Sequence, residues 1–161
     1  MWLYGTGLPP KPHFDTTLID RCYALGRRWE EASNSTNFSK EDIEGWSSDQ
    51  LVVFLDSLKP LHDTFIMDID RLYGFSRSKN CEVLFRFYSR ALESNCEDMY
   101  PSAARWMSSV GRMKYVCPMY QLLNKVNPSL AASTFESARS MYHPICEAQV
   151  AKILASNPQN P

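Results

Sequence analysis

Nowhere in the chain is there a run of about 18 apolar residues, so no segment has the length of a membrane-spanning helix. Neither sign of charge is in excess. Seventeen Lys and Arg stand against eighteen Asp and Glu, a net charge of −1 and a pI near 6.3. Proteins dedicated to nucleic acid carry a basic surplus, and its absence excludes that as the main role. Glycine is scarce at six residues, and no glycine-rich phosphate loop or nucleophile motif is present. The five cysteines are odd in number, widely spaced and without C-x-x-C, which excludes a disulfide framework and a zinc ribbon. Reduced thiols in the cytoplasm are the expectation. No basic start followed by an apolar stretch opens the chain, so no signal peptide is visible. The acceptor patterns Asn34-Ser35-Thr36 and Asn37-Phe38-Ser39 would matter only in a secreted protein.

What is there is a globular chain of 161 residues, 44% hydrophobic and 22% charged, the size of one domain with one substantial core. Residues 1–14 read as an extended Pro-rich lead-in. Gly5, Gly7, Pro9, Pro10 and Pro12 forbid regular structure there, and Pro9 with Pro12 forms a P-x-x-P suited to a stiff connector. Residues 15–156 read as helix after helix, and 157–161 as a tail. Leu18, Cys22, Leu25 and Trp29 define one apolar stripe, with Thr17 and Asp20 as a capping box before it. Ser39–Asp42 opens a short helix that Gly45 ends, and Ser47–Gln50 caps the next. Gly74 closes the stripe Phe65, Ile66, Ile69, Leu72 and Tyr73. Further helices are expected over about 80–94, up to Gly111, from Pro118, from Asn127-Pro128 and from His143-Pro144. Eight or nine short helices with short connections predict an all-α, two-layered coil like HEAT and armadillo arrays.

The feature that points to chemistry is a gap in acidity. From Met99 to Phe135 there is no Asp or Glu, while Arg105, Arg112, Lys114 and Lys125 give a local charge of +4. Such a bias is what an anion-binding face requires. Arg112 and Lys114 lie between two predicted helices. In an extended segment their side chains would project to one side. Arg offers a planar fork to a carboxylate and Lys a mobile point charge. The plainer reading is two solvated cations just past the negative end of a helix. His62 and His143 read as caps or packing residues, and His143 with Cys146 supplies too few ligands for zinc.

Several of these residues also carry a resemblance. Trp2-Leu3-Tyr4, Gly7-Leu8-Pro9-Pro10, Ala24-Leu25 with Arg28-Trp29, Gln50-Leu51 with Phe54-Leu55, Arg86, and above all Gly111-Arg112-Met113-Lys114 with Pro118 resemble the C-terminal domain of the leukotriene A4 hydrolase family. The aminopeptidase B branch shares that domain but is less similar at G-R-M-K. The resemblance implies a helical domain following an N-terminal domain and a zinc catalytic domain, with which it would be partnered. The zinc of that family is held by H-E-x-x-H and a distant Glu. No such motif occurs here, so the chain itself is expected to bind no metal and to be inactive alone. The resemblance further implies that the domain borders the catalytic cleft. It assigns to Arg112 and Lys114 the free carboxylate of a short peptide substrate, and extends the expected activity of the parent to the epoxide leukotriene A4. After G-R-M-K the run Tyr115-Val116-Cys117 departs from that family's enzyme, which bears on the epoxide activity more than on peptide cleavage. The alternative from another class is a stand-alone helical module that binds a partner on a concave face. Neither reading invokes nucleic acid or membrane.

Overall fold

The structure is a computed structural model and describes residues 16–156. The lead-in with its P-x-x-P, and the tail, lie outside the described residues.

Among the described residues there are eight α-helices and no strand: α1 (Thr17–Glu31), α2 (Ser48–Ser57), α3 (Asp63–Tyr73), α4 (Cys81–Glu93), α5 (Tyr100–Met107), α6 (Met113–Val126), α7 (Pro128–Ala138) and α8 (Pro144–Ala155). Short 3-10 turns at Lys40–Ile43, Phe75–Arg77, Glu97–Met99 and Arg139–Met141 fill the connections. Most boundaries follow from local chemistry. Ser47 and Gln50 cap α2 reciprocally, Gln50 N to Ser47 Oγ at 3.3 Å and Ser47 N to Gln50 Oε1 at 3.1 Å. Asn80 accepts from Glu82 N at the start of α4, and Asn127 from Leu130 N at the start of α7. His62 and His143 are the N-caps of α3 and α8. Gly74 takes the left-handed conformation at φ +71°, and its N–H reaches Asp70 O at 2.7 Å to close α3.

Four boundaries differ from the sequence reading. Thr16, not Thr17, is the N-cap of α1, and its hydroxyl donates to Asp20 at 2.9 Å. The buried stripe of α1 starts at Cys22, because Leu18 is 60% exposed. Helix α5 stops at Met107 instead of running to Gly111: Ser108 and Ser109 turn their hydroxyls back onto Ala104 O and Trp106 O and end it. Helix α6 starts five residues before Pro118, which therefore lies inside it. Tyr115, Val116, Met119, Tyr120 and Leu123 are all buried, so one apolar stripe runs straight past the proline. That burial outweighs the lost N–H.

The helices form two layers. Helices α2, α4, α6 and α8 pack side by side in that order, α1 lies along α2, and α3, α5 and α7 lie against the row. Gly26 permits the close approach of α1 to α2, since a Cβ there would stand 2.5 Å from Ser57 Oγ. Trp29, Phe54, Phe87, Leu92, Met107 and Tyr120 are among the fully buried side chains. A row of rings crosses the core, Trp29–Tyr73–Phe75–Phe87–Tyr88–Trp106–Tyr115, with centroids 5.6–6.1 Å apart. Its last member, Tyr115, lies under the two cations singled out by the sequence.

Candidate anion-binding site

Arg112 is the N-cap of α6 and Lys114 its second residue. The segment is not extended through Lys114, so the same-side argument from strand geometry does not apply. The plainer reading misplaces the pair, because α5 has already ended at Met107, but both side chains are exposed to solvent as it has them. The cations stand at the positive start of α6, where helix geometry favours anions. They converge all the same. Arg112 Cζ lies 5.8 Å from the centroid of the Tyr115 ring and Lys114 Nζ 5.4 Å from it.

Their electrostatic situations differ. Lys114 pairs with Glu82, which sits in the first turn of α4. Glu82 also accepts from the Tyr115 hydroxyl at 2.8 Å and from Arg86 Nη1 at 2.5 Å. Arg86 in turn donates through Nε to Asp56 at 3.0 Å. The Lys114 ammonium and the Tyr115 hydroxyl hold the Glu82 carboxyl down to about 2, and the same carboxylate pushes the Tyr115 phenol up. Arg112 is exposed, and no carboxylate among the described residues pairs with it. Its backbone is extended at φ −79° and ψ 117°, and its side chain caps nothing. The first turn of α6 holds no acidic residue.

One helical turn on, a groove of about 260 Å³ opens between α4 and α6, lined by Asp56, Arg86, Arg90 and Pro118 among others. It adjoins the Glu82–Lys114 pair, since Arg86 follows Glu82 and Pro118 follows Lys114 by four residues.

The two cations read from the sequence are thus brought together, but the local charge of +4 is partly compensated from another helix. Glu82 was not among the sequence candidates. In sequence it is an ordinary first-turn acid beside a capping Asn80, and only the packing of α4 on α6 gives it its partners. Among the described residues no three His, Cys, Asp or Glu are grouped to hold a metal ion, and none of the helices is long and apolar enough to cross a membrane. The described residues do not fit a zinc site. All five thiols are free, and burial pushes Cys146 up to about 11.

The fold and this cluster define a class: a two-layered helical domain with cations gathered at one helix start. Comparison with known proteins narrows it. The family profile described as "Leukotriene A4 hydrolase, C-terminal" matches residues 46–154. Leucine aminopeptidase 2 of Yarrowia lipolytica is 44% identical over 162 residues, covering 94% of this chain and 25% of that protein. A leukotriene A-4 hydrolase homolog of Botryotinia fuckeliana is 41% identical, covering 95% of this chain and 24% of its own length. The native leukotriene A4 hydrolase of Saccharomyces cerevisiae superposes with a TM-score of 0.83 at 33% identity, over 96% of this chain and 28% of that one. The yeast enzyme in complex with bestatin gives 0.80. The chain belongs to the leukotriene A4 hydrolase C-terminal domain family. It spans about a quarter of the length of the relatives it matches.

Proposed function

We propose that this chain is the C-terminal domain of a zinc aminopeptidase, that it borders the catalytic cleft of its parent, and that Arg112 with Lys114 holds the free carboxylate of a short peptide. The observation that carries this reading is Arg112 itself. A cation stands where a short capping side chain would stabilise the helix, at the positive end of that helix, with no acid paired to it. Such an arrangement costs stability and is relieved by an arriving anion. The length of the relatives supports a domain of a longer protein over a stand-alone binding module. The zinc would be held outside this chain, in a catalytic domain that, with an N-terminal domain, is its natural partner. A cytoplasmic location agrees with five free thiols.

In this reading the N-terminal end of the peptide faces the metal and its carboxylate points to the far wall. A fixed cation there orients the substrate and limits its length. Arg112 is the better anchor, because its fork engages both carboxylate oxygens. In the full-length enzyme, Arg112→Ala lowers kcat/KM for a tripeptide by about 10- to 150-fold, the equivalent of one charge-assisted hydrogen bond. Arg112→Lys restores part of it. An amidated tripeptide is much less affected. Equal losses on the free acid and the amide would mean that Arg112 supports the fold, and the anchor assignment would be dropped.

A further inference from the structure

We propose that Glu82 is a positioning residue that fixes how much negative charge the site accepts, restricting it to a single carboxylate. The inference rests on the carboxylate-anchor reading and goes beyond it to the choice of substrate. Around the start of α6 stand three cations, Arg112, Lys114 and Arg86, and two carboxylates, Glu82 and Asp56. One positive charge is left over, and its geometric owner is Arg112, the only one of the three cations without an acidic partner among the described residues.

Glu82 is well placed for this. Its two oxygens divide the work: Oε1 accepts from Lys114 and Tyr115, Oε2 from Arg86. Its side chain is 32% exposed while that of Lys114 is 48% exposed, so the exposed ammonium is paired with a more sheltered partner. The three donors hold the carboxylate ionised across the neutral range. A peptide ending in a neutral residue brings one carboxylate and balances the surplus. A peptide ending in Asp or Glu brings a second, which meets Glu82 instead of a free cation. Glu82 therefore discriminates by repulsion, while Lys114, its charge balanced by Glu82, assists Arg112 with the first carboxylate and offers no surplus to a second.

The test compares tripeptides ending in Asp with those ending in Asn, and Glu with Gln, in the full-length enzyme. The readout is the ratio of kcat/KM within each pair. Glu82→Gln keeps the shape and an acceptor for Tyr115 but removes the charge and releases Lys114. The acidic-to-neutral ratio is expected to rise about two- to fivefold, the range of one exposed ion pair. Glu82→Asp, which retains the charge, is expected to keep the wild-type ratio. If Glu82→Gln fails to fold, Lys114→Met reports in the opposite direction, since it leaves Glu82 unbalanced and lowers the ratio. A ratio that stays level or moves the other way overturns the proposal. An amidated tripeptide separates the two readings. Discrimination of acid from amide with an unmoved acidic-to-neutral ratio removes the role of Glu82 alone. No discrimination of acid from amide removes the anchor, and this inference with it.

Discussion

An N-cap position is served by a short side chain that folds back onto the free amides of the first turn, which the long guanidinium of Arg112 does not do. Arg112→Ser supplies a cap worth about 1 kcal/mol and removes an adverse charge–dipole contact of about 0.3–1 kcal/mol. It forfeits the contact with the Tyr115 ring, worth roughly 0.5–1 kcal/mol at an exposed site. The variant is therefore expected to be more stable than the wild type by about 0.3–1.5 kcal/mol in denaturant unfolding. A less stable variant would show that Arg112 serves the fold. Glu82 gives a complementary pH dependence. Its carboxyl falls from an ordinary 4.5 to about 2 in the folded chain, so the unfolded state takes up its proton first on acidification. The stabilisation is complete above pH 4.5 and is lost as the pH falls from there toward 2. Unfolding followed between those limits is expected to show a shallower loss in Glu82→Gln, and an unchanged slope would assign the acid sensitivity elsewhere. Arg112 and Lys114 were legible in the sequence because they are neighbours within one motif. Glu82 was not, because it precedes Lys114 by 32 residues and meets it only through packing.

Helices were legible where caps and periodicity agreed. Ser47 with Gln50, Gly74, Asn127-Pro128 and His143-Pro144 mark ends that the structure keeps. Pro118 misled because proline favours the first turn of a helix, whereas here the buried stripe on both sides of it decides. The end of α5 was hidden because Val110 continues the apolar spacing, while Ser108 and Ser109 compete for the carbonyls behind them. The stripes that set the core are unambiguous. Trp29 is fully buried and donates to the Tyr73 hydroxyl at 3.2 Å, and Phe87 is 1% exposed between Phe75 and Tyr88. Replacing either with Ala is expected to destabilise the chain by about 3–5 kcal/mol, through lost transfer energy and the cavity left behind. A loss below about 1 kcal/mol on denaturant unfolding would place that side chain at the surface.

Over the whole molecule, one continuous apolar core runs through the described helices. The isolated chain is therefore expected to give a helical circular-dichroism spectrum, to hold no stoichiometric zinc and to leave aminoacyl reporters uncut. Chelator-sensitive hydrolysis by the pure chain would contradict this. The all-α class was legible from composition and period, and membership of the family from G-R-M-K with its flanking residues. What stayed hidden is how the layers bring distant charges together, since spacing along one helix carries no information about its neighbours. The row α2, α4, α6 and α8 has one more consequence, for the speed of folding. Its main packing pairs join a helix to the next, or to the next but one, so the ends of the chain need not find each other early. Loops closed at each step are short and their entropic penalty is modest. Such local wiring favours faster folding than pairing of the chain's distant ends would allow.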